Sequence, residues 1–164
     1  MRWLTLTSVL LLFPVSAVAQ SSHQPALILK DIQGRRLRLA DYKGKVVLIN
    51  FWATWCAPCR TEVPELIKMQ RQYRAQGLRI IGITFPPENI PEVRRFVRKL
   101  RVNYRVAIGT KATKALFTSS ETLPMTIVID RKGAVRELIE GIMYADEFNK
   151  KVKPLVDYNV KESE

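Results

Sequence analysis

Cysteine is nearly missing from this chain, with two among 164 residues. So few thiols rule out a scaffold built from disulfides, and a chain of this length does not need one. Histidine is scarcer still, with His23 standing alone. A structural zinc site normally takes four ligands, commonly as two pairs, and the second pair is missing here. Covalent haem attachment asks for Cys-x-x-Cys-His, and Arg60 occupies the place of that histidine. Internal repeats, low-complexity tracts and interdomain linkers are also lacking, which leaves one globular unit. Negative charge is in short supply: 27 Lys and Arg face 15 Asp and Glu, for a formal net charge of +12.

The first apolar run is short. "MRWLTLTSVLLLFPVSAVAQ" begins with Arg2, continues apolar from Trp3 to Phe13 and ends in Ala17-Val18-Ala19. A cation, a short apolar core and an A-x-A end make a secretory signal peptide over residues 1–19, so export to the periplasm is expected. A bilayer span needs about 20 apolar residues, more than this run supplies; an uncleaved anchor that retains the protein at the membrane is the alternative reading. No cysteine follows the run, which excludes a lipid-modified cysteine at the cleavage point. Cleavage after Ala19 leaves 164 − 19 = 145 residues, a single domain over 20–164 with room for a sizeable core. Basic clusters at 35–38, 94–101 and 150–153 read first as solvated faces. An acidic partner or anionic membrane surface is second, and nucleic acid is not expected, since no recognisable motif for it is present.

Along the mature chain, 26–45 predicts two short strands around a turn at Asp31 to Gly34, with Leu27, Leu29, Leu37 and Leu39 as inward positions. "KVVLINF", 45–51, is a continuous apolar run of the kind buried on both faces of an α/β sheet. A helix follows from Pro58, with Val63, Leu66, Ile67 and Tyr73 on one side, Pro64 as a kink and Gly77 as a stop. Next come a strand at 78–85 and a helix capped by Asn89 with Pro91 in its first turn. That helix should turn Ile90, Val93, Phe96, Val97 and Leu100 inward. A strand at 104–109, a short helix within 110–120 and a hairpin turning on Asp130 to Gly133 follow. A last helix near 145–158 carries Phe148, Val152 and Val156 on one side and is distorted by Pro154. Strands alternating with helices, closed by a hairpin, predict a mixed-sheet α/β domain.

Both cysteines fall in "FWATWCAPCR", residues 51–60, as Cys56-Ala57-Pro58-Cys59. A peroxidatic thiol in P-x-x-x-T-x-x-C does not fit, because Ala53 and Ile49 stand at the Thr and Pro positions. A copper carrier with C-x-x-x-C and a remote histidine does not fit either. A structural staple and a redox couple remain. Closing so small a loop removes little unfolded-state entropy. The strand-to-helix junction also places a Cys56 thiolate at the positive end of a helix, where a thiol pKa falls to roughly 3.5–7.5. Cys56 is then the exposed attacker and Cys59, one turn further in, the shielded resolver.

"FWATWCAPCRTEVPEL" resembles the active-site segment of the thioredoxin superfamily, and more narrowly the exported TlpA/ResA-like thiol–disulfide oxidoreductases. The likeness extends through "LKDIQGRRLRLADYKGKVVLINFWATWC", "IIGITF", "PEVRRFVRKLRVNYRVAIG" and "LPMTIVIDRKG", covering about residues 26–156. It implies a thioredoxin-like mixed sheet flanked by helices, with an N-terminal β-hairpin and a central helix–strand insertion. It implies catalysis by Cys56 and Cys59 with no cofactor beyond their redox-active disulfide. Pro124 matches the family's cis-proline, with an ordinary loop proline as the alternative; beside it, the Leu123 backbone would pair with an extended substrate. Trp55 would form part of the docking surface, Pro58 would influence the potential, and Trp52 reads as core. Where thioredoxin carries a buried aspartate this chain has Asn50. Glu62, three residues beyond Cys59, sits where these relatives carry an acid, so it reads either as the proton-handling group or as a solvent-facing helix glutamate. The implied partners are oxidised protein thiols, apocytochrome c among them, and a membrane thiol-electron donor, met by a monomer. A dithiol oxidase or isomerase on the same fold, and a binding module whose disulfide only stiffens a loop, are the rival readings.

Overall fold

The computed structural model describes residues 25–158. The expected signal segment, His23 and the last six residues lie outside the described residues. A two-stranded hairpin comes first, β1 (Ile28–Lys30) antiparallel to β2 (Arg36–Arg38), with Leu29 opposite Leu37. Its turn is built by Asp31, whose Oδ1 accepts the N–H groups of Gln33 and Arg35. Gly34, at φ 84°, supplies the left-handed conformation that such a turn needs.

The main sheet has five strands: β3 (Val46–Phe51), β4 (Leu78–Thr84), β5 (Arg105–Ile108), β6 (Met125–Ile129) and β7 (Val135–Glu140). Their order is β5-β4-β3-β6-β7, with β3, β4 and β5 parallel and β6 and β7 antiparallel to their neighbours. This is the mixed α/β architecture that the resemblance implies. Every residue of β3 is buried, as its apolar run requires of a central strand. The hairpin closes the β5 edge, since the Ile32 N–H donates to the Val106 carbonyl and Asp31 bridges to Ala107.

Helix α1 (Ala57–Tyr73) and the pair α4 (Ala145–Lys151) and α5 (Lys153–Asp157) pack with Val46 and Leu48 of β3. The opposite β3 side chains, Val47, Ile49 and Phe51, pack with Leu27, Leu37 and Leu39. A third cluster joins Trp52, Cys56 and Cys59 to Val93 of α2 (Ile90–Leu100), with Phe96 and Val97 packed against it. A short α3 (Lys111–Ala115) carries a Thr110–Thr113 capping box.

Several expectations need adjustment. The C-terminal helix is two helices meeting at Val152, because Pro154 sits in the first turn of the second and has no N–H to continue the first. Ile90 is not inward but 43% exposed. It is the first residue of α2, on the turn that Asn89 caps, before the apolar stripe reaches the sheet. Leu100, at the far end of the same helix, is only half-buried.

Candidate active site

The site lies where β3 ends and α1 begins. Cys56 is the N-cap of α1, in extended conformation, and its Sγ accepts the Cys59 N–H at 3.2 Å. One of the unpaired N–H groups at a helix start thus points at sulfur. The two cysteines are joined as a disulfide with their Cα atoms 5.3 Å apart. Pro58 follows within the first turn, where no donor is needed.

The expected asymmetry is present in order but not in size. Cys59 is fully enclosed, and Cys56 is only 6% exposed rather than open to solvent. With its sulfur bonded to that of Cys59, Cys56 belongs to the cluster of Ile32, Trp52, Ala53 and Val93, and Leu123 packs against that cluster. Trp55 carries the exposed surface instead, at 67%. Trp52 is fully buried, as a core residue.

Leu123–Pro124 is a cis peptide, and Pro124 is buried at the start of β6, which pairs with β3. Leu123 and Trp55 line a groove of about 710 Å³ that continues along α3 past Ala112 and Ala115. Lys114 lines the same groove with only 7% exposure, and its Nζ donates to the Thr122 carbonyl at 3.3 Å. Burial holds its ammonium pKa below the usual lysine value, against the opposing pull of Glu121 and Glu140.

Glu62 does not face solvent. It is completely buried on α1, one helical turn past Cys59 and on the same side of the helix. Oε1 accepts the Met143 N–H at 2.9 Å and Oε2 accepts the Asn50 Nδ2 at 2.8 Å. Asn50 also donates to Thr126 Oγ1 at 3.0 Å, so the amide ties β3 to both the helix and β6. Burial raises the Glu62 pKa from 4.5 to about 7, with Glu147 adding to the rise and the two hydrogen bonds opposing it. Around this group, Asn50 Oδ1, Trp52 Nε1 and Tyr104 OH are buried without hydrogen-bond partners among the described residues. Burial and the Glu62 charge both push the Tyr104 phenol up.

A second carboxylate buried beside the site has no signal in the sequence. Glu88 accepts the Thr54 N–H and the Thr84 hydroxyl, fastening the loop that leads into Trp55 and Cys56 to the end of β4. In the sequence it stands among Pro86, Pro87 and Asn89, a setting that reads only as turn and helix cap. Among the described residues, no three His, Cys, Asp or Glu side chains gather as metal ligands.

The profile of the AhpC/TSA family matches residues 21–138. A thiol-disulfide oxidoreductase ResA of Geobacillus thermodenitrificans is 31% identical over 140 residues, covering 85% of this chain and 80% of that protein. The ResA of Bacillus subtilis is 32% identical over 127 residues, covering 77% and 70%. Among solved structures, a thioredoxin-family thiol:disulfide interchange protein from Chlorobium tepidum superposes with a TM-score of 0.74 at 28% identity, covering 80% of this chain and 94% of that one.

Proposed function

The chain belongs to the thioredoxin-like AhpC/TSA family and is a thiol–disulfide oxidoreductase, and from that premise we propose that it works outside the cytosol as a reductant of protein disulfides. The observation that carries the reading is the Cys56–Cys59 pair at the start of α1 with a buried acid one turn behind it. Export is supported by the Arg2, apolar-run and Ala17-Val18-Ala19 pattern of the N-terminus. The family name does not bring a peroxidase with it, because Ile49 and Ala53 stand where a peroxidatic site carries Pro and Thr.

In the working direction the reduced enzyme presents Cys56 as thiolate. Its place at the N-cap, with the Cys59 N–H aimed at sulfur, favours the anion. The thiolate attacks one sulfur of a client disulfide. A mixed disulfide forms, and the client's other sulfur leaves as thiolate and takes up a proton. Cys59 then loses its proton and attacks Cys56 Sγ, which releases the second client thiol and leaves the enzyme oxidised. Glu62 is the group to hold the Cys59 proton. Both of its oxygens accept hydrogen bonds, as an ionised carboxylate does, and a pKa of about 7 lets it cycle near neutrality. A half-turn of the Asn50 amide would offer Oδ1 to the protonated acid, so one side chain serves both states. A membrane thiol donor returns the two electrons. Trp55, Pro58, Leu123 and Pro124 form the docking face, and oxidised apocytochrome c is a client of the required kind. The working unit is a monomer.

Insulin-disulfide reduction tests the dithiol: the wild type should be active, and Cys56→Ser should fall to the uncatalysed rate. Cys59→Ala should accumulate mixed disulfides through Cys56 when incubated with periplasmic protein. Equal insulin reduction by wild type and Cys56→Ser would overturn the proposal.

A further inference from the structure

The basic excess is not spread evenly. A cavity of about 410 Å³ lies between the hairpin turn, the end of α1 and the starts of β4 and β5. Four arginines from these four segments line it: Arg35, Arg74, Arg79 and Arg105. No acidic residue lines it. It is not the dithiol site. Arg79 pairs with Val47, four residues before the end of β3, so it sits roughly 13 Å along the sheet from the strand end that leads to Cys56.

Two of the guanidinium groups are built into place. Asp31 is buried and accepts the Arg35 Nε and the Arg105 Nε, each at 3.0 Å. Arg105 Nη2 also donates to the Arg36 carbonyl at 2.9 Å. Arg79 is tethered by Nη1 to the carbonyls of Arg74 and Leu78. The Arg74 side chain has no hydrogen bond among the described residues and is exposed at the rim. Asp31 offsets one of four positive charges, so the cavity keeps 4 − 1 = 3 with its own walls contributing none of the opposite sign. Four guanidinium groups brought to one cavity from separate elements match a group with several oxygens on one centre. Surface arginines that merely solvate a face need no buried carboxylate to aim them.

We propose that this cavity binds a phosphate group, taken either from a lipid headgroup or from a soluble phosphate ester. A tetrahedral phosphate offers oxygens to several guanidiniums at once, and a carboxylate offers two. The cavity volume admits the phosphate and the first atoms attached to it. With a lipid as the source, the protein would sit on an anionic surface with the dithiol at the opposite end of the sheet, facing away from that surface. The proposal is independent of the dithiol reading, and either can fail without the other.

The test uses the full mature chain and two probes. One is sn-glycerol 3-phosphate, followed by titration calorimetry. The other is phosphatidylglycerol/phosphatidylcholine vesicles, followed by co-sedimentation, with pure phosphatidylcholine as blank. Arg74→Gln and the double variant Arg74→Gln/Arg79→Gln should weaken binding about tenfold or more, as loss of charge-assisted bonds requires, while insulin reduction is unchanged. Arg95→Gln/Arg98→Gln removes as much charge from exposed positions that do not line the cavity and should leave binding within about twofold, since screened surface charge acts weakly at a distance. Binding of the ester alone supports a soluble source; vesicle binding that the ester competes away supports a lipid source. Three results would overturn the proposal: no binding of either probe, vesicle binding that the ester cannot compete, or equal losses in the two double variants. Acetate competing as well as the ester would also overturn it, since the site would then read carboxylates.

Discussion

At the scale of single residues, Glu62 is the most consequential departure from an ordinary surface helix. Its carboxyl is buried, and its pKa is raised from 4.5 to about 7. The unfolded chain therefore loses this proton near pH 4.5 while the folded chain keeps it until about 7. Between those values the folded state binds more protons, so stability falls as pH rises and levels off above about 7. The linkage across that window is of order 3 kcal/mol at most. Urea unfolding followed from pH 4 to 8 should show this decline in the wild type and lose it in Glu62→Gln. The same variant should lose the inflection near pH 7 in its rate of disulfide exchange. Identical pH profiles for the two proteins would remove Glu62 from proton handling. The resemblance to the TlpA/ResA-like proteins singles out Glu62, but its burial is not visible in sequence, because an acid inside an amphipathic helix reads equally well as solvated. What buries it is a hydrogen-bonding set drawn from 12 and 81 residues away, Asn50 and the Met143 N–H.

At the scale of elements, β4 meets β3 and β5 at Gly82 with almost no space to spare. A Cβ there would lie 2.7 Å from Trp52 Nε1 and 3.2 Å from Tyr104 Cε2. Gly82 also pairs with Asn50, so the crowding falls beside the polar group that holds Glu62. Gly82→Ala should cost about 1–3 kcal/mol of stability by overpacking, read from the urea midpoint, and should shift the Trp52 emission. A neutral substitution would mean that the indole has room to move. The elements themselves were largely legible. The continuous apolar run of β3, the Asp31–Gly34 turn and the Asn89 cap each carry a local signal that physics converts directly into structure. The misses are of another kind. Ile90 has helical spacing but sits one turn too early to reach the sheet. Cys56 stands at the exposed end of a helix, yet the loop and Leu123 pack around it. Glu88 and the four arginines of the cavity are joined only by folding, from segments that share no motif.

At the scale of the whole molecule, the direction of electron flow is a statement about which redox form the fold favours. The oxidised and reduced proteins, folded and unfolded, form a closed thermodynamic cycle. If the fold favours the disulfide, the oxidised protein is the harder to unfold and the folded dithiol is more reducing than an unfolded one. If the fold favours the thiolate, as in strongly oxidising enzymes, the order reverses. Chain entropy alone credits a link across so short a loop with about 2 kcal/mol, and Cys56 sits enclosed when bonded to Cys59. The acid behind Cys59 works in the same sense, since an ionised Glu62 disfavours a thiolate one turn away. In the other direction, the N-cap environment favours the thiolate. We therefore expect the oxidised form to unfold at higher urea, and adding a dithiol reductant should lower the midpoint. The difference converts to potential at about 1.4 kcal/mol per 30 mV, so equilibration with a glutathione buffer gives an independent value that must agree. A reduced form more stable than the oxidised one would make this protein an acceptor of electrons and not the proposed donor, with the same cysteines and the opposite clients.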